Sequence, residues 1–218
     1  MPGYFIVLDG PEGCGKSTQA QLLADRLRAD GHDVVLTHEP GGTKLGQAIR
    51  AVVLAPETGD VTPVAELLLM EADRAQHIAE LIQPALDAGR VVICDRFSTS
   101  TFAYQTVAGG VGEALLETTE AAAVGDTLPD VIVLLDVPAD LGLRRRLGPE
   151  APPDSGDRME QKGLWFHRRV REGYLTYAGR HPGLCRVVDG RGTPEEVAAQ
   201  VLAEVTPYLP SPSWPSET

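Results

Sequence analysis

The sequence has few of the residues that mark secreted, membrane-spanning or nucleic-acid-binding proteins. It contains three cysteines in 218 residues, Cys14, Cys94 and Cys185, and no C-x-x-C motif. An odd number of widely spaced cysteines favours reduced thiols over a disulfide framework. No apolar run is long enough to cross a bilayer, and no signal peptide precedes the first apolar segment. These absences predict a cytoplasmic protein without a membrane partner.

Positive charge is also scarce. The chain has 19 Lys and Arg residues against 31 Asp and Glu residues, which gives a net charge of −12. This balance argues against a nucleic-acid partner, although a few local arginines can still bind a small phosphate ligand. The hydrophobic fraction of 43% over 218 residues is typical of one globular domain with a substantial core.

The most informative stretch lies near the start of the chain. Residues 10–17 read Gly-Pro-Glu-Gly-Cys-Gly-Lys-Ser and fit the phosphate-binding pattern G-x-x-x-x-G-K-[ST]. An apolar run at 4–9 precedes the motif and a helical pattern at 18–28 follows it, which is the strand–loop–helix context that the motif requires. Backbone amides, a helix N-terminus and Lys16 can hold phosphates there, and the Ser17 hydroxyl can ligate Mg²⁺.

Apolar runs of strand length alternate with helical patterns along the rest of the chain. The predicted strands are 4–9, 34–36, 90–94, 131–135 and 184–188. The predicted helices are 19–29, 45–54, 64–88 with a possible kink at Pro84, 113–124, 141–147, 161–177 and 194–208. Such alternation predicts an α/β fold with a five-stranded parallel sheet flanked by helices. We expect one domain over 1–209 and a disordered tail over 210–218.

Charged side chains follow several predicted strands. Ligands of open α/β sheets bind at the carboxyl ends of the strands, so these residues are expected along one rim. Asp9 and Asp95 are candidates for a water-mediated Mg²⁺ site, with a helix cap or a surface acid as the alternative. Arg96 is a candidate phosphate clamp, with a structural ion pair as the alternative. Arg50 and Arg74 fall in helical patterns, where a solvated arginine is the usual case.

The order of the short motifs resembles that of the bacterial thymidylate kinases, P-loop enzymes that phosphorylate dTMP with ATP. The segments that carry the resemblance are 9–19, 39–43 (EPGGT), 73–77 (DRAQH), 95–97 (DRF), 103–105 (AYQ), 136–137 (DV) and 157–160 (DRME). The resemblance implies a P-loop nucleoside monophosphate kinase, conversion of dTMP to dTDP for dTTP biosynthesis, Mg²⁺ as cofactor and ATP as donor. It further implies a homodimer and a lid at about 144–160.

The resemblance also implies roles for individual residues. The implied catalytic residues are Lys16, Arg96, Asp9, Glu39 and Arg158. The implied ATP-binding residues are Gly10, Pro11, Glu12, Gly13, Cys14, Gly15, Lys16, Ser17, Thr18 and Arg144. The implied dTMP-binding residues are Asp9, Glu39, Arg50, Met70, Arg74, Arg96, Ser100, Thr101 and Gln105. The implied ligands of Mg²⁺ are Ser17, Asp9 and Asp95.

Three departures from the family pattern leave the acceptor and the lid arginine open. Met70 stands where the family usually has an aromatic residue, and His38 stands where an arginine often precedes the Glu-Pro pair. The lid is acidic, and Glu12 resembles the subtype whose catalytic arginine comes from the lid. The candidates for that arginine are Arg144, Arg145, Arg146 and Arg158. A kinase of another small acceptor and a non-catalytic nucleotide-binding protein are the alternative functions.

Overall fold

The computed structural model describes residues 3–150, 152 and 155–209, so the predicted tail at 210–218 lies outside the described residues. The strands are β1 Tyr4–Asp9, β2 Val34–His38, β3 Val91–Asp95, β4 Val131–Asp136 and β5 Cys185–Asp189. The α-helices are α1 Lys16–Ala29, α2 Lys44–Leu54, α3 Pro63–His77, α4 Gln83–Asp87, α5 Ser98–Thr101, α6 Glu113–Val124, α7 Ala139–Leu147, α8 Gly163–Arg180 and α9 Pro194–Val205.

The five strands form one parallel sheet in the order β2-β3-β1-β4-β5, which confirms the predicted fold class. All six residues of the central strand β1 are buried, because helices cover both faces of the sheet. Ile6 and Leu8 pack with α1 and α9, whereas Phe5 and Val7 pack with α8. This two-sided burial explains why the strand reads as an unbroken apolar run.

The predicted helix over 64–88 is divided in the structure. A π-helical segment, Ile78–Ile82, separates α3 from α4, and Pro84 lies just after it. Proline has no backbone N–H to complete the regular hydrogen-bond ladder, so the irregularity occurs in the turn before it. A second π-helical segment, Phe102–Ala108, directly continues α5.

The phosphate-binding loop and α7 approach each other backbone to backbone. A Cβ atom on Gly13 would lie 1.9 Å from the Gly142 carbonyl oxygen, and one on Gly142 would lie 2.0 Å from the Glu12 carbonyl oxygen. These distances leave no room for a side chain at either position. The contact therefore places α7, with its C-terminal arginines, directly beside the loop.

We expect Gly142→Ala to lower the free energy of unfolding by about 1–3 kcal/mol, because the added methyl group forces the loop and α7 apart. The control is Gly179→Ala in α8, where an added Cβ meets nothing within 4 Å. Alanine in that open helical position is expected to raise stability by up to about 1 kcal/mol. Urea unfolding of both variants tests the prediction, and equal stabilities would contradict it.

Candidate active site

The loop at 10–17 holds its own lysine in place through backbone carbonyl oxygens. Lys16 is buried, and its ammonium group donates to the carbonyl oxygens of Gly10 at 3.0 Å and Pro11 at 2.9 Å. The next residue, Ser17, donates its hydroxyl hydrogen bond to Asp95 Oδ2 at the end of β3. Loop and strand end therefore form one polar unit, as the sheet-rim argument predicted.

Asp9, at the end of β1, is fully buried behind this unit. Its Oδ1 atom accepts hydrogen bonds from the Gly10 amide at 2.9 Å, the Ser100 hydroxyl at 2.8 Å and the Tyr174 hydroxyl at 2.7 Å. Burial raises the pKa of Asp9, and the nearby charges of Arg96 and Lys16 oppose that rise. Tyr174 was not singled out from the sequence, since an aromatic residue in the α8 pattern reads as ordinary core.

Arg96 follows β3 in the left-handed backbone region, with a φ of 75°. A non-glycine residue in this region carries strain, which is found most often at functional sites. Its guanidinium donates to Glu12 Oε2 at 2.8 Å and to the Tyr174 hydroxyl at 3.1 Å, and it lies 5.3 Å from the Tyr104 ring centroid. The backbone conformation thus directs a positive charge towards the phosphate-binding loop.

Glu12 is the negative charge inside that loop. Burial raises its pKa, but the positive charges of Arg96, Lys16 and Arg146 outweigh burial and lower the pKa of Glu12 to about 2. Glu12 is therefore ionised at neutral pH. Its Oε1 atom lies 3.7 Å from the Arg146 Nε of α7. The Glu12 carboxylate thus links Arg96 and Arg146 at the loop.

These groups surround a cavity of about 330 Å³. The predicted site residues that line it are Glu12, Gly13, Gly15, Lys16, Ser17, Thr18, Glu39, Arg50, Met70, Asp95, Arg96, Ser100 and Gln105. His38, Glu66, Tyr104, Arg145 and Arg146 also line it. The remaining predicted residues, Asp9, Gly10, Pro11, Cys14, Arg74, Thr101, Arg144 and Arg158, are not among those lining residues of the described chain. Most of the predicted donor and acceptor groups therefore share one cavity.

Comparison with known proteins shows which family the chain belongs to. The thymidylate kinase family model matches residues 8–201, which is most of the chain. The chain belongs to the thymidylate kinase family. A thymidylate kinase of Cereibacter sphaeroides is 48% identical over 210 residues, covering 95% of this chain and 96% of that protein. One from Chlamydia caviae is 45% identical over 204 residues, covering 93% of this chain and 97% of that protein.

A solved structure agrees with this assignment. The crystal structure of thymidylate kinase from Ehrlichia chaffeensis matches with a TM-score of 0.76 and 29% identity, covering 94% of this chain and all of that chain. The predicted family, the P-loop kinase fold and the prediction of an enzyme are thereby confirmed. Among the described residues, no helix combines the length and apolarity that a membrane span would need.

The four arginines that are candidates for the predicted lid charge, Arg144, Arg145, Arg146 and Arg158, occupy different environments. Arg144 is exposed and pairs with Asp140, whereas Arg145 donates to the carbonyl oxygens of Gly190 and Arg191. Arg146 is half exposed and lies between Glu160 and Glu12.

Arg158 is buried. It pairs with Glu66 and donates to the Val53 carbonyl oxygen at 2.7 Å. The roles given to Arg158 in catalysis and to Arg144 in ATP binding stay predictions. Their positions in the structure favour Arg146 for the lid charge, since Arg146 already borders the phosphate-binding loop.

Arg74 is fully buried and is not among the residues that line the cavity. Its guanidinium donates to Glu39 at 2.9 Å, to Glu71 at 2.7 Å and to Thr101 at 3.0 Å. The second Glu39 oxygen lies 2.9 Å from Nδ1 of the buried His77. In this conformation Arg74 and His77 hold the Glu39 carboxylate, and Thr101 accepts a hydrogen bond from Arg74. The contact of Arg74 and Thr101 with a base stays a prediction.

Among the described residues, the fold brings together a cluster of metal-ligand types that the sequence did not indicate. Ligand atoms of Glu39, His77 and Cys94 all lie within 4.8 Å of one another. Nevertheless, both His77 ring nitrogens already have partners, and the Arg74 guanidinium lies 2.9 Å from the Glu39 carboxylate. Burial raises the pKa of the Cys94 thiol, which disfavours the thiolate that metals bind. Within the cluster, His77 is therefore a hydrogen-bonded support for Glu39, whereas the Cys94 thiol donates to the Arg96 carbonyl oxygen.

The buried carboxyl group of Asp73, close to Glu39, makes the stability of the fold depend on pH. Burial, and then the negative charge of Glu39, raise the pKa of Asp73 from 3.8 to about 6. The folded carboxyl group thus binds its proton more tightly than the unfolded one, so stability falls as pH rises through this window. We expect Asp73→Asn to be more stable than the original chain by about 1 kcal/mol at pH 7, but equally stable at pH 3.5 or below.

Asparagine keeps an oxygen that can accept the Gly41 amide hydrogen bond, which Asp73 accepts at 3.1 Å. Asp60→Asn, at an exposed position, removes the same charge without burial and serves as the control. Urea unfolding between pH 3.5 and 8 is the measurement. An identical pH profile for the original chain and Asp73→Asn would show that the Asp73 carboxyl group has no raised pKa.

Proposed function

We propose that this chain transfers the γ-phosphoryl group of ATP to dTMP, forming dTDP for dTTP synthesis. Its family is that of the kinases which use ATP as donor and dTMP as acceptor. The observation that carries the proposal is that Lys16 and Ser17 share one cavity with Arg50 and Arg96. Two phosphate-binding groups in one cavity are what in-line transfer between two nucleotides requires.

On the donor side, the amides of the loop and the N-terminus of α1 bind the ATP phosphates. The Lys16 ammonium is already ordered by two carbonyl oxygens, so little reorganisation precedes its contact with the phosphates. Arg146 supplies a second positive charge from the lid side, next to Glu12. No general base is needed, because the acceptor phosphate oxygen is itself the nucleophile.

On the acceptor side, Arg50 and Arg96 bind the dTMP phosphate, since planar guanidinium groups can hold two phosphate oxygens at once. Met70 and Gln105, which line the same cavity, contact the base and sugar. Ser100 is held by Asp9 and completes this wall. The acceptor oxygen is thereby placed near the loop, and the reaction gains from orientation as well as from charge.

The Mg²⁺ assignment is supported by two oxygens without partners. Among the described residues, Asp9 Oδ2 and Asp95 Oδ1 are buried and take part in no hydrogen bond. The Ser17 hydroxyl contacts the other oxygen of Asp95. Oxygen ligands of this kind fit a hard divalent cation, so Ser17, Asp95 and Asp9 would hold Mg²⁺. When bound, Mg²⁺ neutralises charge on the phosphate oxygens.

The test of this function is ADP release with Mg-ATP and a panel of nucleoside monophosphates. We expect dTMP to give the highest kcat/KM, and no turnover with dTMP would contradict the proposal. A higher kcat/KM for another acceptor would instead favour the alternative that Met70 and His38 leave open. Stabilisation by ATP without any phosphoryl transfer would favour a non-catalytic binding protein.

We also propose a cytoplasmic homodimer built from one kinase domain over 1–209, with the lid at about 144–160. The dimer proposal is supported by two half-exposed apolar residues on α3, Val64 at 45% and Leu68 at 50% exposure. They lie four positions apart and therefore on one helix face. Sedimentation of the purified chain measures the oligomeric state directly, and a monomer at micromolar concentration would contradict the dimer.

A further inference from the structure

Glu66 is a buried carboxylate in the first turn of α3 and one of the residues that line the cavity. It is 2% exposed and accepts hydrogen bonds from three side chains. Gln105 donates to its Oε1 at 2.7 Å, Lys162 Nζ lies 3.3 Å from its Oε2, and Arg158 pairs with that same oxygen. A buried carboxylate with two cationic partners interacts strongly with both, because little water screens the charges.

The partners of Glu66 come from two different parts of the site. Gln105 belongs to the π-helical segment Phe102–Ala108 and lines the cavity where the proposed acceptor binds. Lys162 lies where the lid returns to α8, and its ammonium group is 4.6 Å from the Phe166 ring centroid. Glu66 thus contacts both the acceptor wall and the end of the lid.

Arg158 strengthens the lid side of this arrangement. Besides pairing with Glu66, it donates from its backbone amide to Leu54 at 3.0 Å and from Nε to Val53 at 2.7 Å. Val53 and Leu54 end α2 and line the same cavity. The end of the proposed lid at Arg158 is therefore hydrogen-bonded to α2 and α3, which border the proposed acceptor site.

We propose that Glu66 is a positioning residue that couples acceptor binding at Gln105 to the end of the lid at Lys162. The inference rests on the proposed function, since it places dTMP against Gln105. A carboxylate only accepts hydrogen bonds, so Glu66 fixes the Gln105 amide with its nitrogen towards α3. A nucleotide that contacts Gln105 alters how Glu66 is shared with Lys162, and the lid end responds through that one carboxylate.

A purely structural role for Glu66 predicts something different. In that case, substitutions at Gln105 and Lys162 change the KM for dTMP independently, because the carboxylate passes no effect of the nucleotide from one side chain to the other. Coupling through Glu66 instead makes their effects on dTMP binding non-additive. The two roles are therefore separated by a double-mutant cycle on the KM for dTMP, with the KM for ATP as the internal reference.

The experiment compares Gln105→Ala, Lys162→Met and their combination in otherwise unchanged full-length chains. We expect the combined change in the dTMP KM to differ from the product of the single changes by about five-fold, the usual size for residues in one network. The KM for ATP is expected to follow the product within about two-fold. The matched control replaces Lys162→Met by Lys44→Met, an exposed lysine at the start of α2.

Repeating the cycle with Glu66→Gln is expected to remove the coupling, since glutamine keeps the shape of the side chain but not its charge. Multiplicative effects on the dTMP KM in the original background would overturn the inference, and this result does not require Glu66→Gln to fold. A chain that turns over no dTMP at all would instead overturn the proposed function. The two failures are thus distinguishable.

Discussion

Lys16→Ala is expected to lower kcat/KM for phosphoryl transfer by at least about 100-fold, or about 2.7 kcal/mol of transition-state stabilisation. The reason is that the Lys16 ammonium sits inside the phosphate-binding loop, held by the Gly10 and Pro11 carbonyl oxygens. Negative charge on the transferred group then has no preorganised positive partner. The loss is expected mainly in kcat, because the loop amides still hold the ground-state phosphates.

The chain offers a matched control for this substitution. Lys44→Ala removes the same charge from an exposed position at the start of α2 and is expected to leave both rate parameters within about two-fold. Coupled ADP release at saturating and limiting dTMP gives kcat and KM for each variant. Near-original kinetics for Lys16→Ala, in a chain with an unchanged unfolding temperature, would refute the role of this lysine.

Arg96→Ala is expected to lower kcat/KM for dTMP by at least about 100-fold, because the acceptor phosphate loses its clamp beside the loop. Arg96→Lys is expected to fall between Arg96→Ala and the original chain. Lysine keeps the positive charge but presents a single point donor, whereas Arg96 contacts Glu12 and Tyr174 through two different nitrogens.

A control variant and a second substrate test whether the effect of Arg96→Ala is specific to the acceptor. Arg90→Ala removes an arginine that precedes the same strand at its opposite end, where it pairs with Asp33, and is expected to have little effect on kinetics. The KM for ATP in Arg96→Ala is expected to change much less than the KM for dTMP. Equal changes for the two substrates would contradict the assignment of Arg96 to the acceptor.

The parts of the site that could be predicted from the sequence are either contiguous in it or lie at the ends of apolar strands. The loop at 10–17 carries its own amides, lysine and hydroxyl, so its chemistry does not depend on distant residues. Asp9 and Asp95 end apolar strands and Arg96 directly follows one, and parallel strands bring such positions to one rim. The thymidylate kinase motifs then supplied the acceptor, and the family match confirms that reading.

The lid arginine and the partners of Arg74 could not be predicted in this way. Four arginines near the lid look alike in the sequence, yet the glycine contact between the loop and α7 favours Arg146 over the buried Arg158. Arg74 read as a solvated helix residue from the pattern alone, whereas the structure buries it between Glu39 and Glu71. Burial and pairing across many positions leave no local signal.

The loop at 10–17 shows both what the sequence determines and what only the tertiary structure decides. Sequence by itself predicted a phosphate-binding loop with a carboxylate, Glu12, inside it, because charge and loop chemistry are local properties. Only the tertiary structure decided which partners Glu12 has, Arg96 at 2.8 Å and Arg146 at 3.7 Å, and that Glu66 contacts both Gln105 and Lys162. Those contacts join residues that are far apart in the chain, and packing alone sets their distances.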